Sequence, residues 1–309
     1  MIGGGIIGLV VIALLVFLGV RALGDDDKTT NPGPQPTQSA AGGQAQGTTD
    51  KLQSAGFQCS DLFNGAEGAH RGCFKLDDVS QAEVIFQFQA DGTIISTLVR
   101  SSNRENVNNA AVVFDAALQA IGNDTFGGSE VAKIQAAVKT GQKDAKVETS
   151  WGKFNLFNDG DSIQFSGRKS GMESFDVPKK EFPTTVAEMI TALKAKQYTC
   201  TLSCRKDLGR SGSQRIFPLG GSSKTIHSLD IEASGDPADV KAALPGAVAD
   251  AMGVLKGEDV EAIKSFLAAH TDGKPYAGYV AGWRIELTHS GNDDYSSQSI
   301  SIKYESYYV

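Results

Sequence analysis

GFQCSDLF at residues 56–63 and QYTCTLSC at residues 197–204 each set an aromatic-x-Cys unit just before a run of alternating sequence. The chain has only four cysteines, and they fall two and two. Working outward from these stretches, the rest of the chain lines up with itself, which predicts an internal duplication. AEVIFQF at 82–88 answers IHSLDIE at 226–232, and both alternate as half-buried strands do. Residues 106–121 carry an apolar stripe of Val107, Ala110, Ala111, Phe114, Ala117, Leu118 and Ile121, and residues 239–255 one of Val240, Ala243, Leu244, Ala247, Val248, Ala251 and Val254. Pro245-Gly246 lies inside the second stripe, where proline is expected to kink the helix or start a new one.

A second helix follows in each half, at Ser129–Ile134 and Glu258–Ile263, with acids in its first turn and a glycine, Gly141 or Gly273, near its end. Strand pairs then close the halves: Lys153–Leu156 with Ser162–Phe165, and Arg284–Leu287 with Ser299–Ile302. A short helix opens each half, weakly at Thr49–Ala55 and clearly at Thr184–Lys196, where Thr185 and Glu188 have capping-box spacing. The order predicted per half is one helix, two or three strands, two helices and two strands. That is an α+β fold of two tandem related domains, each an antiparallel sheet covered by a pair of helices. The expected domains are 51–170 and 184–309, joined by a linker at 171–183. The halves could pack sheet edge to sheet edge or helix face to helix face.

Ile2 to Val20 is a run without charge, and as a helix it reaches about 28 Å, close to the apolar thickness of a bilayer. A transmembrane anchor is expected over 1–23, with residues 2–20 in the membrane. Gly4-x3-Gly8 has the spacing that lets two such helices approach and form a homodimer. Residues 24–50 are rich in Gly, Gln, Ser, Thr and Pro with almost no large apolar group, which predicts a flexible tether. An even number of cysteines behind an anchor suits an oxidising compartment, and this favours a single pass with a cytoplasmic N-terminus and the body outside. Four cysteines allow three pairings. The expected pair is Cys59 with Cys73 on neighbouring strands, and Cys200 with Cys204 across a tight turn.

Chemistry is harder to find. The net charge of −7, with no block of like charges, excludes a duplex nucleic-acid binder. His70, His227, His270 and His289 stand apart from any nucleophile motif, and no P-loop, G-x-S-x-G or H-E-x-x-H occurs. No catalytic residue, cofactor or metal site is assigned; Asp77-Asp78 and Asp293-Asp294 read as turn residues. Trp283, Tyr295, Tyr304, Tyr307 and Tyr308 make an aromatic-rich end, a candidate interaction patch. The function expected is a non-catalytic envelope protein that binds a protein, a peptide or an envelope ligand. The alternatives are an envelope hydrolase, whose site would need a titratable cluster in the groove between the halves, and a structural or assembly component.

Overall fold

The computed structural model describes residues 42–103, 107–159, 161–209, 212–220, 224–270 and 273–306. The expected anchor at 2–20, the Gly4-x3-Gly8 pair and most of the tether lie outside them. Among the described residues no helix is long and apolar enough to cross a membrane.

The fold is α+β, with two antiparallel sheets and six helices among the described residues. The first part begins with α1 (Gly43–Ser54), then β1 (Gln58–Asn64), β2 (Gly68–Leu76), β3 (Ser80–Gln89) and β4 (Ile94–Asn103). Helices α2 (Val107–Thr125) and α3 (Gly128–Lys139) follow, then β5 (Asp144–Glu148), β6 (Gly152–Asn158) and β7 (Ser162–Lys169). After the short β8 (Phe182–Thr185), the second part runs α4 (Val186–Ala195), β9 (Thr199–Cys200), β10 (Cys204–Asp207), β11 (Ser213–Gly220) and β12 (Thr225–Gly235). It ends with α5 (Pro237–Met252), α6 (Val260–Ala269), β13 (Tyr276–Val280), β14 (Trp283–Gly291) and β15 (Ser296–Lys303). Strand order is β1-β2-β3-β4-β7-β6-β5 in one sheet and β9-β10-β11-β12-β15-β14-β13 in the other, with β8 beside β12. Each part therefore has four strands before its helix pair and three after, more than the sequence pattern revealed.

One row of directly opposed residues makes the correspondence concrete. Across the first sheet it reads Cys59, Cys73, Val84, Val99, Phe165, Leu156 and Ala145. Across the second it reads Cys200, Cys204, Ile216, Ile231, Ile300, Leu287 and Tyr276. Both rows face the helices, and both start with a disulfide between neighbouring strands, Cys59–Cys73 and Cys200–Cys204, each with Cα atoms 4.0 Å apart. The short β9 and β10 supply the tight turn that the second bridge needs.

Three elements differ from expectation. Residues 43–50, placed in the tether, belong to α1, which buries Ala45, Thr48, Thr49 and Leu52. The packing of Leu52 and the acceptance by Thr49 Oγ of a bond from Arg71 Nη1 (2.9 Å) outweigh a composition poor in helix formers. Residues 171–183 are not a free linker: Phe175 is tied by its backbone to Gln87, Val177 is buried, and Phe182 begins β8. Helix α5 runs through Pro245, although proline cannot donate a bond to the carbonyl of Lys241. The capping box at Thr185 and Glu188 forms as predicted.

The two sheets meet neither edge to edge nor through their helices. In β2 and β3 the side chains of Ala69, Cys73, Val84 and Phe86 face the helices, so His70, Phe74, Glu83 and Gln87 face the other way. In β13 and β14 the same alternation turns Ala277, Tyr279 and Arg284 away from α5 and α6. These two helix-free faces pack together. Gly72 allows the approach, because a Cβ there would sit 2.6 Å from the Tyr279 ring. Removing the first bridge with Cys59→Ala and Cys73→Ala is expected to cost about 3 kcal/mol, since it frees a loop of roughly 15 residues in the unfolded chain. A lower urea midpoint, with a slope that rises as the unfolded chain loses its cross-link, checks this.

Candidate functional site

Where the helix-free faces meet, an ionic cluster is sealed between them. Arg284 on β14 reaches Glu83 on β3 at 2.5 Å and Glu305, just past β15, at 3.1 Å. Arg100 on β4 adds a second cation to Glu83 at 2.8 Å, and the Phe74 ring lies 5.1 Å beneath the Arg284 guanidinium. Glu83, Arg284 and Glu305 are all buried to within 1%. Burial alone would push the Glu83 carboxyl up, but Arg284 and Arg100 outweigh it and hold it below the usual carboxylate range. Burial likewise opposes the charge on Arg284, and Glu83 and Glu305 outweigh it.

A neutral chain extends the cluster. Tyr279 Oη donates to Glu305 at 2.7 Å, and His70 Nε2 lies 3.4 Å from Tyr279 Oη. Gln87 Nε2 donates to His70 Nδ1 (3.1 Å) and to the Phe175 carbonyl (2.9 Å), while Gln87 Oε1 accepts from Phe175 N and Ser96 Oγ. That set admits one orientation of the amide, so Nδ1 of His70 is an acceptor and its proton sits on Nε2. Burial lowers the pKa of His70 to about 4, against the pull of Glu305 and Asp61, so the ring is neutral at pH 7. This is a titratable cluster in the place a hydrolase site between the halves would occupy. Its members are all enclosed, which suits a lock rather than a site that admits substrate.

The concave feature lies elsewhere, in the second part. A cavity of about 530 Å³ opens between α5, α6, β14 and β15. Small-molecule sites commonly measure roughly 300–1,000 Å³. Its floor and walls are apolar: Leu244 and Val248 from α5 with Met252, Leu267 from α6, and Leu287 and Ile300 from the strands. Four basic side chains, Lys241, Lys264, Lys274 and His270, join the lining with the polar Thr288, Gln298 and Ser299, and no acidic side chain lines it among the described residues. His270 Nδ1 donates to the Phe266 carbonyl at 2.8 Å, which places its other nitrogen free of that bond. In the first part the corresponding space is filled. Phe165 stands where the second sheet has Ile300, Phe154 stacks on it at 4.3 Å, and Phe126 and Trp151 pack against Phe154 at 5.0 and 5.3 Å.

No family model, curated protein or solved structure matches this chain. Function therefore rests on its own geometry.

The residues singled out from the sequence scatter. Trp283, expected in an interaction patch, is buried: it stacks on Phe182 at 4.0 Å and donates from Nε1 to Asp259 at 3.0 Å. Alternation along β14 puts it on the core face, so it forms no patch. Tyr295 is 48% exposed in the β14–β15 turn, Tyr304 is half-buried beside His227, and Tyr307 and Tyr308 lie outside the described residues. Asp77 holds a turn through the N–H groups of Val79 and Ser80, and His289 lies 3.4 Å from Asp78. Among the described residues no group of three or more His, Cys, Asp and Glu could hold a metal ion. The cavity was missed because its lining comes from four separated segments. Its one trace in the sequence is that Phe154 and Phe165 find only aliphatic counterparts in the second half.

Arg284→Leu would leave Glu83 and Glu305 buried with a lost partner and is expected to cost about 3–5 kcal/mol, read as a shift in urea midpoint. The His70 ring, neutral in the fold and protonated below its usual pKa of 6.5 when unfolded, contributes stability that is full above pH 6.5. That contribution is lost as pH falls from 6.5 towards 4. The loss should reach about 3 kcal/mol, and in His70→Gln the decline between pH 6.5 and 4.5 should flatten.

Proposed function

We propose that this chain is a non-catalytic binding protein of the cell envelope and that its second part holds an apolar small molecule between α5, α6 and the sheet. The cavity of about 530 Å³ carries the reading, because an open, mainly apolar hollow of that size matches small-molecule sites and leaves apolar surface in water unless something covers it. The filled counterpart in the first part supports a stoichiometry of one ligand per chain.

In this reading Ile2–Val20 is a transmembrane anchor and the body is extracytoplasmic. Two disulfides and no free cysteine among the described residues support an oxidising compartment. The two parts derive from one duplicated domain, as the matching strand order and matching disulfide rows support. After duplication the first copy kept an aromatic core and the second kept the site.

Two measurements test the proposal. The full-length protein is titrated with N-phenyl-1-naphthylamine, a neutral apolar fluorophore. Saturable uptake near one per chain is expected, and Val248→Trp, which fills the cavity, should abolish it. Uptake that does not saturate, or that Val248→Trp leaves unchanged, would overturn the binding reading. In intact cells, a membrane-impermeant thiol reagent should label the protein only after reduction; labelling that requires lysis would move the body to the cytoplasm.

A further inference from the structure

We infer that the ligand is a single aliphatic chain carrying one anionic head, bound with the chain against the apolar wall and the head among Lys241, Lys264 and Lys274. This rests on the cavity being a ligand site and goes further by naming the ligand's chemistry.

The argument is one of charge complementarity. Over the whole chain acids outnumber lysines and arginines, 36 to 29, yet each charged side chain lining the cavity among the described residues is a lysine. The three come from different elements: Lys241 from α5, Lys264 from α6, and Lys274 from the segment leading into β13. Three elements thus bring positive charge to one apolar opening. Lys264 is also paired with Glu261 at 2.7 Å, and Glu261 is 80% exposed. A pair so open to water is worth little, and the lysine can turn to a better-shielded anion at small cost. Lysine presents a compact charge on a flexible stem without the planar fork that reads a carboxylate in two-pronged fashion. The arrangement therefore selects for negative charge at the head without fixing its geometry. Carboxylate and phosphate heads share that chemistry.

The apolar wall sets the other half of the ligand. Leu244, Val248, Met252, Leu267, Leu287 and Ile300 offer only hydrocarbon and one thioether, while Thr288, Gln298 and Ser299 add polar side chains from the strands, so the apolar stretch of the ligand lies along the first six. A peptide or a sugar would leave most of its donors and acceptors unpaired against those six side chains. An aliphatic chain would not.

The test is displacement of N-phenyl-1-naphthylamine from the full-length protein by laurate, dodecyl phosphate and 1-dodecanol, which share a chain and differ in the head. At least one of the two anions should displace the dye at about tenfold lower concentration than the alcohol, the equivalent of about 1.4 kcal/mol, and the tighter anion names the head. The preference should shrink as salt rises. It should vanish in the triple variant Lys241→Gln, Lys264→Gln, Lys274→Gln, with each competitor read against the dye affinity measured on that same variant. Should that variant fail to fold, the salt dependence on the native protein still decides. Equal displacement by alcohol and both anions would overturn the anionic head while leaving apolar binding in place. Dye that Val248→Trp does not exclude, with Ala268→Trp as a second filling variant, would instead remove the binding reading itself.

Discussion

The guanidinium of Arg284 has to be neutralised in the middle of the molecule, and that requirement joins the two sheets. A cation this deeply enclosed is stable only with its partners in place. Glu83 comes from the first sheet, while Glu286 and Glu305 come from the second part, so the cation is shared between the two. Around it the hydrogen bonds of Tyr279, His70, Gln87 and Phe175 continue without a break from the second sheet through the first to the connecting segment. A polar network of this kind specifies one docking of the two faces, which an apolar interface would specify less sharply. It also explains why residues 171–183 are ordered: Gln87 uses the Phe175 backbone as one of its partners.

The joined faces leave the helices on the outside of both sheets, and there the two parts diverge. In the first, stacked and edge-on rings of Phe126, Trp151, Phe154 and Phe165 fill the space between helices and strands. In the second, Ile285 and Ile300 occupy the strand positions of Phe154 and Phe165, and aliphatic side chains do not reach across. The cavity is thus a packing deficit confined to one copy of the architecture. Its charged lining among the described residues is all lysine, in a chain where acids outnumber lysines and arginines.

Much of the architecture could be read from spacing alone. The stripes at 106–121 and 239–255 became α2 and α5, Thr185 and Glu188 capped α4, and both cysteine pairs closed within their own halves. Three readings failed, one through distant contacts and two through local geometry. Gly43–Asp50 looked like tether, yet it folds because Arg71 bonds Thr49 and Leu52 finds a core. Pro245 looked like a break, yet helix continues because only one carbonyl loses its donor. Trp283 looked like a surface aromatic, yet strand alternation buries it against Phe182.

By itself the sequence determined the period of each element, the two-by-two arrangement of cysteines and the internal repeat, since these depend on neighbours within a few residues or on self-similarity along the chain. Only the tertiary structure decided which faces meet, that Glu83, Arg284 and Glu305 share one enclosed cluster, and that three lysines from separate segments converge on an apolar cavity. Those features depend on side chains as far as 222 positions apart, from Glu83 to Glu305, coming together in space. No pattern of spacing along the chain encodes such a meeting.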